Sequence, residues 1–152
     1  ENQLTPRRVA ELTDVRLTAV AAGNAHSLAI SGAGTLYSWG GGRAGGLGRG
    51  KYQDQQQPMV VEALRQVVVR AVAAGRHSLA LSNVGEVYSW GPGMGGQLGH
   101  GDTEDQLEPL RIAGLGGVRV CTVAAGQEQS LAVGSDGAVY GWGYGRASGF
   151  SQ

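Results

Sequence analysis

Three tryptophans occur in this sequence, and each lies in the same short string, Tyr-x-Trp-Gly. They are Trp39, Trp90 and Trp142, which stand 51 and 52 residues apart. A spacing this regular, marked by aromatic residues and glycine, indicates one supersecondary unit copied along the chain. The copied unit therefore constrains the architecture more strongly than any single residue or site does.

The repeat extends well beyond the tryptophans. A Val-Ala-Ala-Gly segment precedes each of them and leads into Ser-Leu-Ala, while Pro6, Pro58 and Pro109 recur at the same period. We divide the chain, 1–152, into units of about 6–57, 58–108 and 109–152, the last of them incomplete. Since the pattern is interrupted at both ends, we expect the chain to be a piece of a longer array.

Composition agrees with a repetitive β protein, because 28 of the 152 residues are glycine while 41% are apolar. Twelve basic and twelve acidic residues cancel, which gives no electrostatic reason to expect nucleic acid or an anionic membrane as partner. No apolar run is long enough for a transmembrane helix. The single cysteine, Cys121, fits a reducing compartment, so we expect an intracellular protein, cytoplasmic or nuclear, with an organelle not excluded. Because Cys121 lies in an apolar run, we expect its side chain to be buried.

Each unit has the pattern of four short strands separated by glycine turns. The first strand is rich in β-branched residues, and the second and third flank a tight turn that ends in glycine. The fourth follows the proline, whose missing N–H is tolerated at a sheet edge. In the middle unit the predicted strands are 67–73, 77–82 and 86–90, and the short strands after Pro58 and Pro109 are 59–61 and 110–112. Segments 9–12 and 61–64 are either strand or single helical turns. Four antiparallel strands per unit form one blade of a β-propeller, with a solenoid as the competing architecture.

The combined string resembles the repeat of the regulator of chromosome condensation family. The middle unit carries it almost intact, as Ala73-Ala74-Gly75, His77-Ser78-Leu79-Ala80, Tyr88-Ser89-Trp90-Gly91 and Gly96-Gln97-Leu98-Gly99. The resemblance implies an all-β propeller of four-stranded antiparallel blades, seven in the whole ring, of which about three are present here. The third unit departs from the family pattern at Gln129, which replaces the histidine, and again after Trp142.

Two motifs suggest chemistry, and both have a simpler explanation. Gly40-x-Gly42-x-x-Gly45 and its copy at Gly91 match the dinucleotide-binding pattern, but a phosphate site needs a helix starting at those glycines. Another glycine-rich stretch follows instead, so glycines for tight loops are the better account. His26 and His77 share one repeat position with Gln129, a poor third zinc ligand, and we predict structural histidines that bond to a neighbouring turn. We predict no metal, no cofactor and no catalytic residue.

Photoreceptor members of this family rely on tryptophan just after the repeat glycine. Those places hold Asn24, Arg76 and Gln127 here. We therefore predict no photoreception by these units, and we expect the three tryptophans to fill space between packed sheets.

Two function classes remain. The first is a protein–protein interaction or scaffolding module within a larger protein or assembly, whose partner is another protein such as a small GTPase or a large multi-subunit assembly. The alternative, by resemblance to the founding member of the family, is a guanine-nucleotide exchange factor for a small GTPase. Exchange needs a loop that wedges into the nucleotide site, and no residue here maps onto that role. Apart from exchange, we expect no enzymatic activity.

The units differ most in the loops after each tryptophan, which makes these loops the candidate contact segments. The first is mixed in charge and the second acidic. The candidate residues are Arg49, Lys51, Tyr52, Asp54, His100, Asp102, Glu104, Asp105, Tyr144 and Arg146. His100 stands between two glycines, and we expect it to be solvent-exposed.

Overall fold

A computed structural model describes residues 2–145, and eleven strands in this range form three antiparallel sheets. The first sheet contains β1 (Leu17–Ala22), β2 (His26–Ser31), β3 (Leu36–Gly40) and β4 (Gln55–Val60). The second contains β5 (Val69–Ala74), β6 (Ser78–Ser82), β7 (Val87–Gly91) and β8 (Gln106–Arg111). The third contains β9 (Val120–Ala125), β10 (Gln129–Gly134) and β11 (Val139–Gly143). Strands pair in chain order, so the predicted all-β architecture is confirmed.

The turns between the second and third strands depend on glycine as predicted. Gly34, Gly85 and Gly137 have φ values of 86°, 86° and 83°, a region in which a side chain would be strained. The segments left open by the sequence are single 3₁₀ turns, Ala10–Leu12 and Glu62–Leu64, with a third at Ala113–Leu115. The last two lie in the connections from one sheet to the next, and Ala10–Leu12 precedes the first sheet.

The fourth strand begins earlier than the sequence predicted. β4 starts at Gln55 and β8 at Gln106, so Pro58 and Pro109 lie inside their strands instead of opening them. The register between β3 and β4 shifts between the Ser38–Met59 and Gly40–Gln55 pairs, which places Pro58 at an irregularity of an outer strand. A proline is tolerated there because its missing N–H interrupts no regular ladder. The last strand of each four-stranded sheet thus extends across the predicted boundary between two sequence units, and the unit bounds themselves stay a prediction.

The sheets stack face to face, and the middle sheet is covered on both sides. Against the first sheet it places Ala80 and Trp90, which pack with Leu28, Ile30 and Leu36. Against the third sheet it places its alternate residues Leu79, Leu81 and Val87, which pack with Ala132 and Trp142. Successive residues of a strand point to opposite faces, so a strand buried on both faces reads as a continuous apolar run.

Position within the stack decides burial at equivalent places. Val87 of the middle sheet is 1% exposed, whereas Val139 at the same place in the third sheet is 68% exposed. Cys121 is also exposed, so the prediction that its side chain is buried was wrong. It shares a repeat position with the exposed Arg70, and in β9 it points to the opposite side from the buried Val120.

The Val-Ala-Ala-Gly glycines mark the closest approach between sheets. A Cβ on Gly75 would overlap the carbonyl oxygen of Gly126, and a Cβ on Gly23 would lie 2.5 Å from the carbonyl oxygen of Gly75. The Asn24 N–H donates a hydrogen bond of 2.9 Å to the same Gly75 oxygen. Glycine is therefore required here because two backbones meet, and no positive φ is involved.

Antiparallel order gives the array two ends. The connections after the first and third strands of each sheet, 23–25 and 41–54 in the first sheet, share one end, which we call the loop face. The connections after the second and fourth strands share the other end, which we call the turn face. Among residues 2–145 no helix has the length and apolar character needed to span a membrane.

Candidate functional site

Two histidines join neighbouring sheets through serine. The His26 Nε2 lies 2.7 Å from the Ser78 Oγ, and the His77 Nε2 lies 2.6 Å from the Ser130 Oγ. Each serine hydroxyl donates its only hydrogen to a backbone carbonyl, that of Gly46 or of Gln97. The histidine Nε2–H must therefore be the donor to serine. The prediction of a structural role holds, but the predicted bond to a neighbouring turn was wrong, since the partner is a strand residue of the next sheet.

Burial keeps both rings neutral. Desolvation lowers the pKa of His26, and desolvation together with the nearby His26 lowers the pKa of His77 to about 4. The His77 Nδ1 is buried without a hydrogen-bond partner, as expected for the Nε2–H tautomer. Among residues 2–145 no three His, Cys, Asp or Glu side chains are grouped so that they could hold a metal ion. These histidines are thus joints between sheets.

The glycine-rich loop of one sheet packs beneath the tryptophan of the next. The Trp90 Nε1–H donates a 3.0 Å hydrogen bond to the Gly46 carbonyl. A Cβ on Gly48, which has a φ of 70°, would lie 2.8 Å from that same nitrogen. Gly99 approaches Trp142 in the same way at the next junction. The dinucleotide-like motif of the first loop contains the short 3₁₀ turn Arg43–Gly45, and the next element along the chain is the strand β4, in agreement with glycines that serve tight packing.

Two of the predicted contact residues fix the loops from within. The Asp54 Oδ1 accepts a 2.9 Å hydrogen bond from the Gly42 N–H, and the Asp105 Oδ1 accepts one of the same length from the Gly93 N–H. These bonds join the two ends of each loop. Asp54 and Asp105 therefore shape the contact segments.

His100 and Arg49 occupy equivalent places and also make internal bonds. The His100 Nε2 lies 2.8 Å from the Ser89 Oγ, whose hydrogen is donated to the Leu98 carbonyl. His100 is half-buried, so the prediction that it is solvent-exposed was wrong. Its ring reaches back to β7 because the loop folds onto the sheet there. The Arg49 Nη1 donates to the Gln55 Oε1 at 2.9 Å.

The remaining predicted residues are available to a partner. Lys51, Tyr52, Asp102, Glu104 and Tyr144 are all exposed, and the two tyrosines are 58% and 56% exposed. They follow the third strands of successive sheets, so they form a row along the array and do not converge on one pocket. Arg146, the tenth candidate, lies outside the described residues.

Two hollows at equivalent places adjoin these loops on the outer rim. The first, of about 190 Å³, is lined by Arg49, Lys51 and the partly exposed Met59. The second, of about 500 Å³, is lined by His100, Leu110 and Arg111. The first hollow also contains Glu62 and Glu108, so it is mixed in charge, whereas the second has basic groups only.

Sequence reasoning missed a third hollow, on the loop face between the first and second sheets. It measures about 140 Å³, and its lining includes Asn24, His26, Arg43 and Arg76. Arg76 also forms a 3.2 Å ion pair with Glu128 of the third sheet. The sequence carries one sign that this junction is unusual. A single residue separates Gly75 from His77, whereas two residues separate the corresponding Gly23 and His26 in the first unit.

Comparison with known proteins adds to this geometry. Two family models described as the regulator of chromosome condensation (RCC1) repeat match the chain, one at residues 33–81 and 84–133 and the other at 17–45. The Ultraviolet-B receptor UVR8 of Arabidopsis thaliana is 42% identical over 148 residues, which are 96% of this chain and 34% of the receptor.

Two solved structures are similar as well. The structure of human WBSCR16 has a TM-score of 0.80 and 32% identity, over 87% of this chain and 34% of that one. The structure of Prp20p from Saccharomyces cerevisiae, described with its binding properties to Gsp1p and histones, has a TM-score of 0.75 and 29% identity, over 86% of this chain and 34% of that one. The chain thus spans about a third of the length of these proteins.

Proposed function

Because this chain belongs to the regulator of chromosome condensation repeat family, we propose that it serves as a protein–protein interaction or scaffolding module. Partners contact the loop face and the adjoining rim. Rigid sheets carry the loops, and loops held on a rigid scaffold are a common place for binding residues. The chemistry of the loops sets the choice of partner.

One observation carries this proposal. The loops 41–54 and 92–105 are closed by the same aspartate-to-glycine bond, yet their exposed residues differ in charge. The first presents Lys51 and Tyr52, and the second presents Asp102 and Glu104. A constant frame with unlike side chains supports recognition of a partner whose own charges are arranged in a matching order.

Replacing the exposed loop residues while keeping the frame tests this function. In the full-length protein, 51–53 and 102–104 are changed to Gly/Ser, and Asp54 and Asp105 are retained. Affinity capture from cell extract with quantitative mass spectrometry then compares this variant with a control in which the exposed 65–66, on the turn face, are changed to Gly/Ser. We expect the loop variant to lose specific partners that the control keeps. Equal recovery of all partners would remove these loops from the contact surface.

A second candidate function is guanine-nucleotide exchange on a small GTPase. The resemblance to Prp20p, described with its binding to Gsp1p, favours it. Release of mant-GDP from purified small GTPases in the presence of the full-length protein tests it by fluorescence. Accelerated release would establish exchange activity and overturn the purely scaffolding function.

A further inference from the structure

The cavity at the first junction is positively charged. Three ionisable side chains line it, His26, Arg43 and Arg76, and no carboxylate does. His26 is neutral at pH 7 because burial lowers its pKa. The charge of the lining residues is therefore that of the two arginines, and Arg76 is also paired with Glu128 outside the cavity.

Much of the hydrogen-bonding capacity of these arginines is unused. Arg43 is exposed, and its guanidinium makes no hydrogen bond or ion pair with another residue of 2–145. Arg76 places only its Nη1 within 3.2 Å of the Glu128 carboxylate, and it is half exposed. A guanidinium has five N–H donors in a fixed planar fork that matches a carboxylate.

The wall of this cavity includes a strained backbone. Ala44 has a φ of 54°, and it is the only non-glycine residue with a positive φ among residues 2–145. Such conformations persist where the surroundings enforce them, and they are frequent at binding sites. The neighbouring Arg43 begins this turn and also lines the cavity.

The equivalent place at the second junction is different. Met94 stands where the first loop has Arg43, and Glu128 lies across from Arg76. The presence of two arginines at one cavity is thus a feature of the first junction, and the repeat itself does not require it.

We propose that this cavity is a subsite for a side-chain carboxylate of an acidic segment on a protein partner. This inference rests on the proposed function and names the chemistry of one contact within it. A volume of about 140 Å³ fits a single carboxylate side chain better than a nucleotide. Asp102, Glu104 and Glu128 lie on the neighbouring loops, which repel a polyanion such as nucleic acid and favour a partner that also carries basic residues.

A charge-matched peptide pair tests the subsite with the full-length protein. The probe is a fluorescein-labelled peptide Lys-Lys-Gly-Ser-Glu-Ser-Gly-Gly, and its control carries Gln in place of Glu. Fluorescence anisotropy at low ionic strength gives the affinity of each. We expect the Glu peptide to bind about tenfold more tightly than the Gln peptide.

Protein variants locate the contact. Arg43→Gln should lower the affinity for the Glu peptide about tenfold and leave the affinity for the Gln peptide unchanged. Arg16→Gln is the matched control, because Arg16 is exposed at the opposite end of the first sheet and the change in net charge is the same. Arg43→Glu should bind a peptide with Lys at the central place more tightly than the Glu peptide. Because a loss of stability would weaken both peptides alike, this reversal tests the contact itself.

Three results would overturn the inference. The first is equal affinity for the Glu and Gln peptides. The second is a loss of affinity for the Glu peptide in Arg16→Gln as large as that in Arg43→Gln. The third is Arg43-dependent binding of an eight-nucleotide oligothymidylate that is tighter than binding of the Glu peptide. If one of them occurs while the loop replacement still abolishes capture of partners, the proposed function stands and only the carboxylate subsite fails. If capture of partners is unaffected by loop replacement, the proposed function fails independently of the peptide result.

Discussion

The proton on Nε2 determines the hydrogen bond that each junction histidine, His26 or His77, makes with the serine of the next sheet. Serine donates to a carbonyl, so histidine has to donate from Nε2, and a second proton on Nδ1 would be buried without an acceptor. Protonation of His77 therefore costs free energy only in the folded state. That links the stacking of the second and third sheets to pH.

We predict that the free energy of unfolding falls as His77 becomes protonated. The pKa of His77 is about 4 in the folded protein and 6.5 in a model peptide, so its contribution to stability is complete above pH 6.5 and is lost as pH falls toward 4. The loss attributable to His77 is at most about 3 kcal/mol. Urea unfolding of the full-length protein between pH 7 and pH 4 measures it.

His77→Gln supplies the control, because the third unit carries Gln129 at the equivalent place. This variant should be less stable at pH 7 but should show a shallower pH dependence. His26 remains and contributes in the same direction, since its pKa is also lowered. An identical pH dependence in the variant would show that His77 does not titrate in this way.

The second prediction concerns the glycine beneath Trp90. Gly48→Ala adds a Cβ at 2.8 Å from the Trp90 Nε1 and also requires an unfavourable φ. Gly101→Ala has the same problem of backbone conformation, with a φ of 84°, but its Cβ meets no atom within 4 Å. The difference between the two variants isolates the contact of the added Cβ with Trp90 and with Pro109, which lies 3.1 Å away.

We expect Gly48→Ala to lower the free energy of unfolding by about 1–3 kcal/mol more than Gly101→Ala does, as overpacking of a core contact typically costs. Urea unfolding followed by tryptophan fluorescence measures both. If the two variants are equally destabilised, the loop glycine does not support the tryptophan of the next sheet.

At the scale of the element, the loops combine a fixed frame with variable tips. The frame consists of the aspartate-to-glycine bond and the return of the chain onto the next sheet, where the Gly50 N–H donates to the Leu107 carbonyl at 2.9 Å. The first loop also contains the strained Ala44, whose counterpart Gly95 does not have a positive φ. The two loops thus differ in backbone as well as in charge.

The third prediction follows from that strain. Ala44→Gly should raise the free energy of unfolding by about 1 kcal/mol, because glycine adopts a positive φ without steric cost. The control is Ala113→Gly in the 3₁₀ turn before the third sheet, where φ is not positive and glycine adds only chain entropy. The Tm in thermal unfolding should rise for Ala44→Gly and fall for Ala113→Gly. A lower Tm for both variants would show that Ala44 is not strained.

Local patterns predicted the elements better than they predicted contacts between them. The glycine at the end of each tight turn, as in Gly85, is dictated by backbone conformation within a few residues, and the sequence displays it directly. The partner of His77 is 53 residues away and becomes visible only when the sheets are stacked. The same holds for the cavity between Arg43 and Arg76, which no single unit contains.

Two wrong expectations have the same origin. Cys121 lies in an apolar run, but strand alternation decides which side it faces, and the strand bounds fix that alternation. His100 lies between glycines, which suggests exposure, yet a neighbouring strand provides a hydroxyl for its ring. Neither outcome can be derived without the register of strands in three dimensions.

For the whole molecule, the sheets support one another through faces that are apolar and backbones that nearly touch. In the described part of the chain, apolar side chains pack between neighbouring sheets at two junctions, so stability is expected to be a sum over sheets and junctions. Val87 at 1% and Val139 at 68% exposure show how strongly burial depends on the presence of the next sheet. The junction residues therefore hold adjacent sheets together.

The most direct test introduces a side chain where two sheets meet and measures amide hydrogen exchange on both of them. Gly75→Ala places a Cβ against the Gly126 carbonyl without a demand on φ, and Gly114→Ala, whose Cβ meets nothing within 4 Å, is the control. We predict faster exchange by mass spectrometry in both 78–82 and 129–134 for Gly75→Ala, and no change there for Gly114→Ala. Faster exchange confined to 78–82, or none in either strand, would show that this junction does not hold the two sheets together.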